Sequence, residues 1–299
     1  MSNKKIIFLG TPELAVTILD SLLKEGYEIP LVITSPDRPV GRKQILTPPP
    51  VKTFAESHGL SVYQPEKLNE ESLKKIKESG AELGVVVAYG HIIPQNVIDS
   101  LPKGFINIHY SLLPEFRGAS PVEQSILSGQ KETGVSIQKL VFKLDAGPII
   151  AVEKFEIGNT ITTPDLKNKL TEIGADLLIK ILPDYMEGKI DLVEQDESKA
   201  THCKKINKAD GEIKLSDSDE SKWTKYRAYF GWPGIFYFDE EGNEINPHKN
   251  FFKKEDDNLS HANPDQKVFR RVKITEATFE NGKFIIKKII PEGRKEISL

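Results

Sequence analysis

Cysteine is almost missing from this chain: Cys203 is the only one in 299 residues. A single thiol excludes an internal disulfide and any metal site built from several thiolates, so the fold must rest on its core. Long hydrophobic runs are missing too. The opening "MSNKKIIFLG" ends its apolar run at Gly10 and soon meets Pro12 and Glu13. That run is too short for a signal-peptide core or a spanning helix, so a cytoplasmic location without a membrane partner is expected. Nor does charge of one sign dominate, since 41 basic residues face 44 acidic ones for a net of −3. From Lys204 onward, however, 19 basic residues outnumber 17 acidic, and the remainder is −5. This slight tilt points to an anionic partner near the C-terminal part. No G-x-G-x-x-G or Walker pattern is present, so no nucleotide cofactor is expected. No His/Cys/carboxylate cluster has metal-ligand spacing, and no metal is expected. Ser111 lacks the G-x-S-x-G setting of a nucleophile elbow.

What is present reads as two parts. The first half alternates apolar runs ("KKIIFLG", "IPLVITS", "LSVYQP", "ELGVVVAYG", "FINIHY") with helical segments. "TPELAVTILDSLLKEG" has Thr11 as its expected N-cap and Pro12 at its first position, and Asn69 caps "NEESLKKIKESG". Strands alternating with helices imply a Rossmann-like, mostly parallel sheet covered on both faces. After residue 121, "TGVSIQKLV" and "GPIIAVEKFEI" are expected strands, and a helix is expected from Pro164 to Glu187. Residues 190–207 are polar, show little periodicity and read as a linker. From residue 208, extended runs separated by turn pairs (Gly242-Asn243, Asn281-Gly282) predict an all-β, OB-like barrel with Trp232 and Phe236 in its core. The expected domains are therefore 1–189 and 208–299.

Ligands of open α/β sheets sit at the carboxyl ends of the strands. Two loops there have unusual composition, "AYGHIIP" and "NIHYSLLPEFRGASP". Asn107 and His109 lie two apart on a strand and share a face, while Ile108 points to the other. An amide and an imidazole side by side form a clamp for an oxygen that gains negative charge. Asp145, in the turn "LDAG", is the expected third member, a carboxylate that fixes the imidazole tautomer and raises the fraction protonated. Together these residues point to metal-free acyl transfer.

The stretch "NIHYSLLPEFRGASP", with "AYGHIIP" before it and "LDAGPI" after it, resembles the folate-dependent formyltransferases. The resemblance implies that Asn107, His109 and Asp145 are catalytic. It also implies that Ser111, Leu112, Leu113 and Pro114 border a folate site, and that Val87, Tyr89 and Gly90 line its pterin pocket. "PDRPVGRK" resembles a loop of the methionyl-tRNA branch, which would make Arg38, Arg42 and Lys43 tRNA contacts. "YRAYFGWPGIFYF" resembles the opening of that branch's tRNA-binding barrel, to which Arg270, Arg271 and Lys273 would add a basic stripe. The implied activity is formyl transfer from 10-formyltetrahydrofolate to the α-amine of methionyl-initiator tRNA, by a monomer. A sugar-nucleotide N-formyltransferase, a formyl-folate hydrolase and a non-catalytic RNA-binding protein are the rival expectations.

Overall fold

The computed structural model describes residues 5–41, 43–240 and 269–299. The chain divides into two compact units, Met1–Asn159 with Asp165–Lys205, and Thr160–Pro164 with Ile206–Leu299.

The first unit starts with β1 (Ile6–Gly10), α1 (Glu13–Lys24) and β2 (Val32–Ile33). Ala15, Ile18, Leu19 and Leu22 of α1 are buried at helical spacing, which gives that helix one apolar face. Pro12, not the expected Thr11, occupies the N-cap of α1. Thr11 instead donates its Oγ1 to the Tyr89 carbonyl at 3.0 Å. The next stretch, expected as loop, contains a hairpin of β3 (Arg38–Val40) and β4 (Ile45–Thr47). There follow α2 (Pro50–Ser57), β5 (Val62–Tyr63), α3 (Glu70–Glu78), β6 (Leu83–Val87), α4 (Gln95–Ile98) and β7 (Phe105–His109). Asn69 caps α3 as expected, in a reciprocal capping box with Ser72. Then come β8 (Arg117–Gly118), α5 (Pro121–Leu127), β9 (Glu132–Lys139), β10 (Ile149–Glu156), α6 (Thr163–Met186) and β11 (His202–Cys203).

The main sheet runs β10-β9-β7-β6-β1-β2-β5. The five strands from β7 to β5 are mutually parallel, and β9 and β10 add an antiparallel edge. The chain moves outward from β1 through β2 to β5, then returns to the other side of β1 as β6. The order therefore switches between β1 and β6, and in open α/β sheets ligands bind at the carboxyl ends of the strands beside such a switch. The sequence of β6, LGVVV, is buried at every position because both faces are covered. Beneath β7, Gly174 of α6 approaches so closely that an added Cβ would lie 3.2 Å from Ile108 Cγ2. Ile108 is thereby packed on the face opposite Asn107 and His109.

Residues 190–205, read as linker, lie within the first unit. Val193 and Ile149 exchange backbone hydrogen bonds of 2.8 and 2.9 Å, and β11 pairs parallel with β8. The β8 backbone cannot be satisfied by its own neighbours, and this irregular segment supplies the partners.

The second unit is not purely β. It includes α7 (Asp219–Ala228), capped by Ser218, before β12 (Ile235–Glu240), β13 (Phe269–Glu280), β14 (Lys283–Pro291) and β15 (Ile297–Ser298). These four strands form one antiparallel sheet in chain order. Asn281 and Gly282, both with positive φ, make the expected tight turn from β13 to β14. The pair Gly242-Asn243 lies outside the described residues. Ile235 and Tyr237 are buried, so Phe236 and Phe238 take the outward face of β12. Trp232 is exposed, contrary to the expected core position, because it precedes the strand in a turn.

Candidate active site

Register places the polar side chains. Asn107 on β7 pairs with Gln138 on β9, and His109 pairs with Ser136. All four share the sheet face at the carboxyl end of β7, one strand from the switch point. The turn after β9 returns Asp145 to this face with a left-handed backbone, φ +48°. The Asp145 Oδ1 accepts from Gln138 Nε2 at 3.1 Å and from Asn107 Nδ2 at a longer 3.5 Å. Its Oδ2 accepts the Gly118 backbone N–H at 2.8 Å and lies 3.7 Å from His109 Nδ1. Asn107, His109 and Asp145 thus converge from segments 38 residues apart.

The imidazole is oriented differently from the expectation. His109 Nε2 lies 3.0 Å from the Phe116 carbonyl oxygen. A carbonyl only accepts, so Nε2 carries the proton and the Phe116 carbonyl, rather than Asp145, fixes the tautomer. In the neutral ring Nδ1 then has a free lone pair that faces Asp145. Burial drives the His109 pKa below the ordinary imidazole value, against the opposing pull of Asp145 and of the Phe116 hydrogen bond. The ring is therefore neutral at pH 7 and has a basic nitrogen beside a carboxylate. Phe116 and Ala88 also have positive φ, at +57° and +46°. Such backbone costs about 1–3 kcal/mol per residue and clusters where geometry serves chemistry.

The remaining residues named from sequence lie at two strand ends, Val87 to Gly90 at the end of β6 and Ser111 to Pro114 after β7. Val87 and Ser111 have no exposed surface, so their side chains are packed inside rather than open to solvent. Ser111 Oγ donates to the Glu115 carbonyl at 2.6 Å, and Ser136 Oγ donates to the Ser111 carbonyl at 2.7 Å. The Leu113 N–H donates to Ser136 Oγ at 3.0 Å, and the Pro114 carbonyl accepts from the Thr201 N–H. Leu112 and Pro114 are half-buried. Tyr89 is buried and its hydroxyl is pushed up to about 12 by burial; it has no hydrogen-bond partner among the described residues. Ala88 and Gly90 on either side are exposed, and both are left-handed. Among the described residues no group of three or more His, Cys, Asp or Glu could hold a metal ion, and no helix is long and apolar enough to cross a membrane.

Residues 4–182 match the formyl transferase family model. A methionyl-tRNA formyltransferase of Sulfurovum sp. is 45% identical, with coverage of 78% of this chain and 75% of its own. One from Bdellovibrio bacteriovorus is 42% identical over 88% of this chain and 84% of its own. The chain belongs to the methionyl-tRNA formyltransferases. Among solved structures, an N-formyltransferase from Helicobacter canadensis in complex with folinic acid and dTDP-3-aminofucose has a TM-score of 0.65 at 18% identity. It covers 99% of this chain and 98% of its own. At that identity the likeness is one of fold.

The cations expected to meet the acceptor lie in both units. Arg38 and Lys43 are exposed on the β3–β4 hairpin, where Arg38 pairs with Glu66; Arg42 lies outside the described residues. On β13, Arg271 pairs with Phe238 and Lys273 with Phe236, so two exposed cations share a face with two aromatic rings. Arg271 lies 5.6 Å from the Phe236 ring centroid. Arg270, one position away, points to the opposite face. Gln138, which holds the Asp145 carboxylate, was not among the candidates read from sequence, nor were Arg117 and Gln195, which bond to each other beside the Asp145 turn. Gln138 had a signal, since Ser136 and Gln138 alternate with the apolar Val135 and Ile137. Arg117 stood unassigned within "NIHYSLLPEFRGASP", and Gln195 had no signal in its polar surroundings.

Proposed function

We propose that this chain transfers the formyl group of 10-formyltetrahydrofolate to the α-amine of methionyl-initiator tRNA. Membership of the methionyl-tRNA formyltransferases supports the reading. The observation that carries it at the site is the convergence of Asn107, the open Nδ1 of His109 and Asp145 at one strand end. An α-amine of pKa about 7.7–8.0 or lower is largely neutral near pH 8, so it attacks without a strong base. The nitrogen–carbon bond forms as the carbonyl electrons move to oxygen, and the Asn107 amide donates to that oxyanion. The proton lost by the attacking nitrogen passes to His109 Nδ1, and the imidazolium is held by Asp145 and adds to the charge that faces the oxyanion. Collapse breaks the bond to N10, and His109 returns the proton there.

The folate berth is assigned to Leu112–Pro114 and the loop Val87–Gly90, with Val87 and Ser111 as support. The exposed left-handed backbone at Ala88 and Gly90, at the carboxyl end of β6, leaves main-chain groups within reach of a ligand, which suits the amide-like rim of a pterin. The tRNA is assigned to Arg38 and Lys43 on the hairpin, to Arg42, and to Arg271 and Lys273 beside Phe236 and Phe238, with Arg270 on the far face. Cations interleaved with aromatic rings suit phosphates and unstacked bases. The antiparallel sheet of the second unit is read as the heart of an OB-like barrel, and the enzyme as a cytoplasmic monomer that needs no metal.

The test offers labelled 10-formyltetrahydrofolate with methionyl-initiator tRNA, an amino-sugar nucleotide or buffer alone. The label is expected on the charged tRNA. Label on the amino sugar, or formate released at the same rate in every tube, would contradict the assignment.

A further inference from the structure

Asp145 is held in a backbone conformation that a side-chain-bearing residue rarely adopts, φ +48°. Such a conformation persists only where the surroundings over-determine it. The constraint comes from a residue 50 positions downstream. Gln195 Nε2 donates to the Asp145 carbonyl at 3.0 Å and to the Gly147 carbonyl at 2.7 Å, bracketing the turn. Gln138 closes the other side, where its Oε1 accepts the Gly147 N–H at 3.2 Å and its Nε2 donates to the carboxylate.

The direction of the Gln195 amide is fixed by chemistry. Its Oε1 accepts from Arg117 Nε at 3.0 Å and Nη2 at 2.8 Å. A guanidinium only donates, so the oxygen must face Arg117 and the nitrogen must face the two carbonyls. Arg117 has no exposed surface, and its remaining bonds go to Glu197 at 2.8 and 3.1 Å. Arg117 first, then Lys143, holds the Glu197 carboxyl down at about 2, so this anchor stays charged through the working range.

We infer that Gln195 is a positioning residue for formyl transfer: aimed by Arg117, its Nε2 holds the Asp145 turn so that the carboxylate faces His109. The inference rests on the proposed role of Asp145 and adds a contact from a segment that looked like linker. Gln195 lies outside the constellation and acts through the backbone of Asp145.

Gln195→Glu separates this role from simple anchoring. The new carboxylate still accepts from Arg117, but its second oxygen meets two carbonyl oxygens and loses both donations. Displacement of a reacting group by about 1 Å costs up to about 100-fold in rate. We expect kcat for formyl transfer to fall at least tenfold, with KM for folate donor and tRNA within twofold, in a variant that is still folded at the assay temperature. A residue that only anchored Arg117 would leave kcat intact. Turnover within twofold of wild type, or a rise in KM at constant kcat, overturns the inference. Should Gln195→Glu melt early, Gln195→Asn is measured instead; its amide, one methylene shorter, must also lower kcat with KM unmoved. Asp145→Asn is measured beside them. If it retains wild-type turnover, the role of Asp145 falls; if it is slow while a folded Gln195 variant is fast, only the Gln195 inference falls.

Discussion

Asn107→Ala and His109→Ala are each expected to lower kcat for formyl transfer by about 100-fold or more, with tRNA affinity within about twofold of wild type. Loss of one preorganised donor to a developing oxyanion removes about 3 kcal/mol of transition-state stabilisation. Asn107 is suited to that role because its hydrogen bond to Asp145 is long, 3.5 Å, while Gln138 makes the closer one. Its amide is therefore not committed to holding the carboxylate. His109 loses more than a donor, since its Nδ1 is the open basic nitrogen of the site. Neither residue lies on the cation-bearing hairpin or the β13 face assigned to tRNA, so binding of the acceptor is not expected to change. Single-turnover rates at saturating substrates, with a melting curve to show that each variant is folded, check this. Near-wild-type turnover in either variant would refute its assignment.

Gly118→Ala is expected to give a large loss of stability. Gly118 has φ +123°, a conformation open to glycine and strained for any residue with a Cβ. An added Cβ would lie 2.2 Å from the Cys203 carbonyl oxygen. That oxygen is backbone in the paired strand β11, so it cannot swing aside as the end of a flexible side chain would. Either β8 and β11 separate or the loop carrying Phe116 shifts. Strain and overpacking together cost on the order of 2–6 kcal/mol. In a unit of this size that lowers the melting temperature by roughly 10 °C. Activity is expected to fall as well, because the Gly118 N–H is a donor to Asp145 Oδ2 and Phe116 holds the imidazole. A melting temperature within about 1 °C of wild type would show that β8 and β11 do not lock this loop.

The parallel sheet was legible because buried strands such as LGVVV are apolar throughout, while α1 shows one apolar face. Asn69 and the pair Asn281-Gly282 signalled their cap and turn through side-chain chemistry and backbone freedom. Helix α7 was not legible: DESKWTKYRA has only Trp223 and Tyr226 to mark an inner face, where they stack on each other and Trp223 on Phe279, and its cap and terminal charges do the rest. Thr11 illustrates a local signal overridden by topology, since the switch point draws its hydroxyl to Tyr89. At the site, the two-residue spacing of Asn107 and His109 placed them on one face from sequence alone. The tautomer was not legible, because the Phe116 carbonyl reaches the ring only through a left-handed residue that is not glycine. The segment from Val193 to Cys203 was hidden for a similar reason. Its place is set by carbonyls and a buried guanidinium up to 87 residues away, which leave no periodic trace in the chain.

The central claim is that the proton of the attacking amine passes through His109 Nδ1. Its most direct test is the pH dependence of single-turnover formyl transfer in wild type and in His109→Gln. The amine must be neutral to attack, so both proteins are expected to lose rate with slope one below the amine pKa. His109 must also be neutral to take the proton, and burial sets its pKa below the ordinary value of about 6.5. Wild type should therefore steepen toward slope two below that lower pKa, while His109→Gln keeps slope one. Identical slopes in the two proteins throughout the acid range would contradict the account.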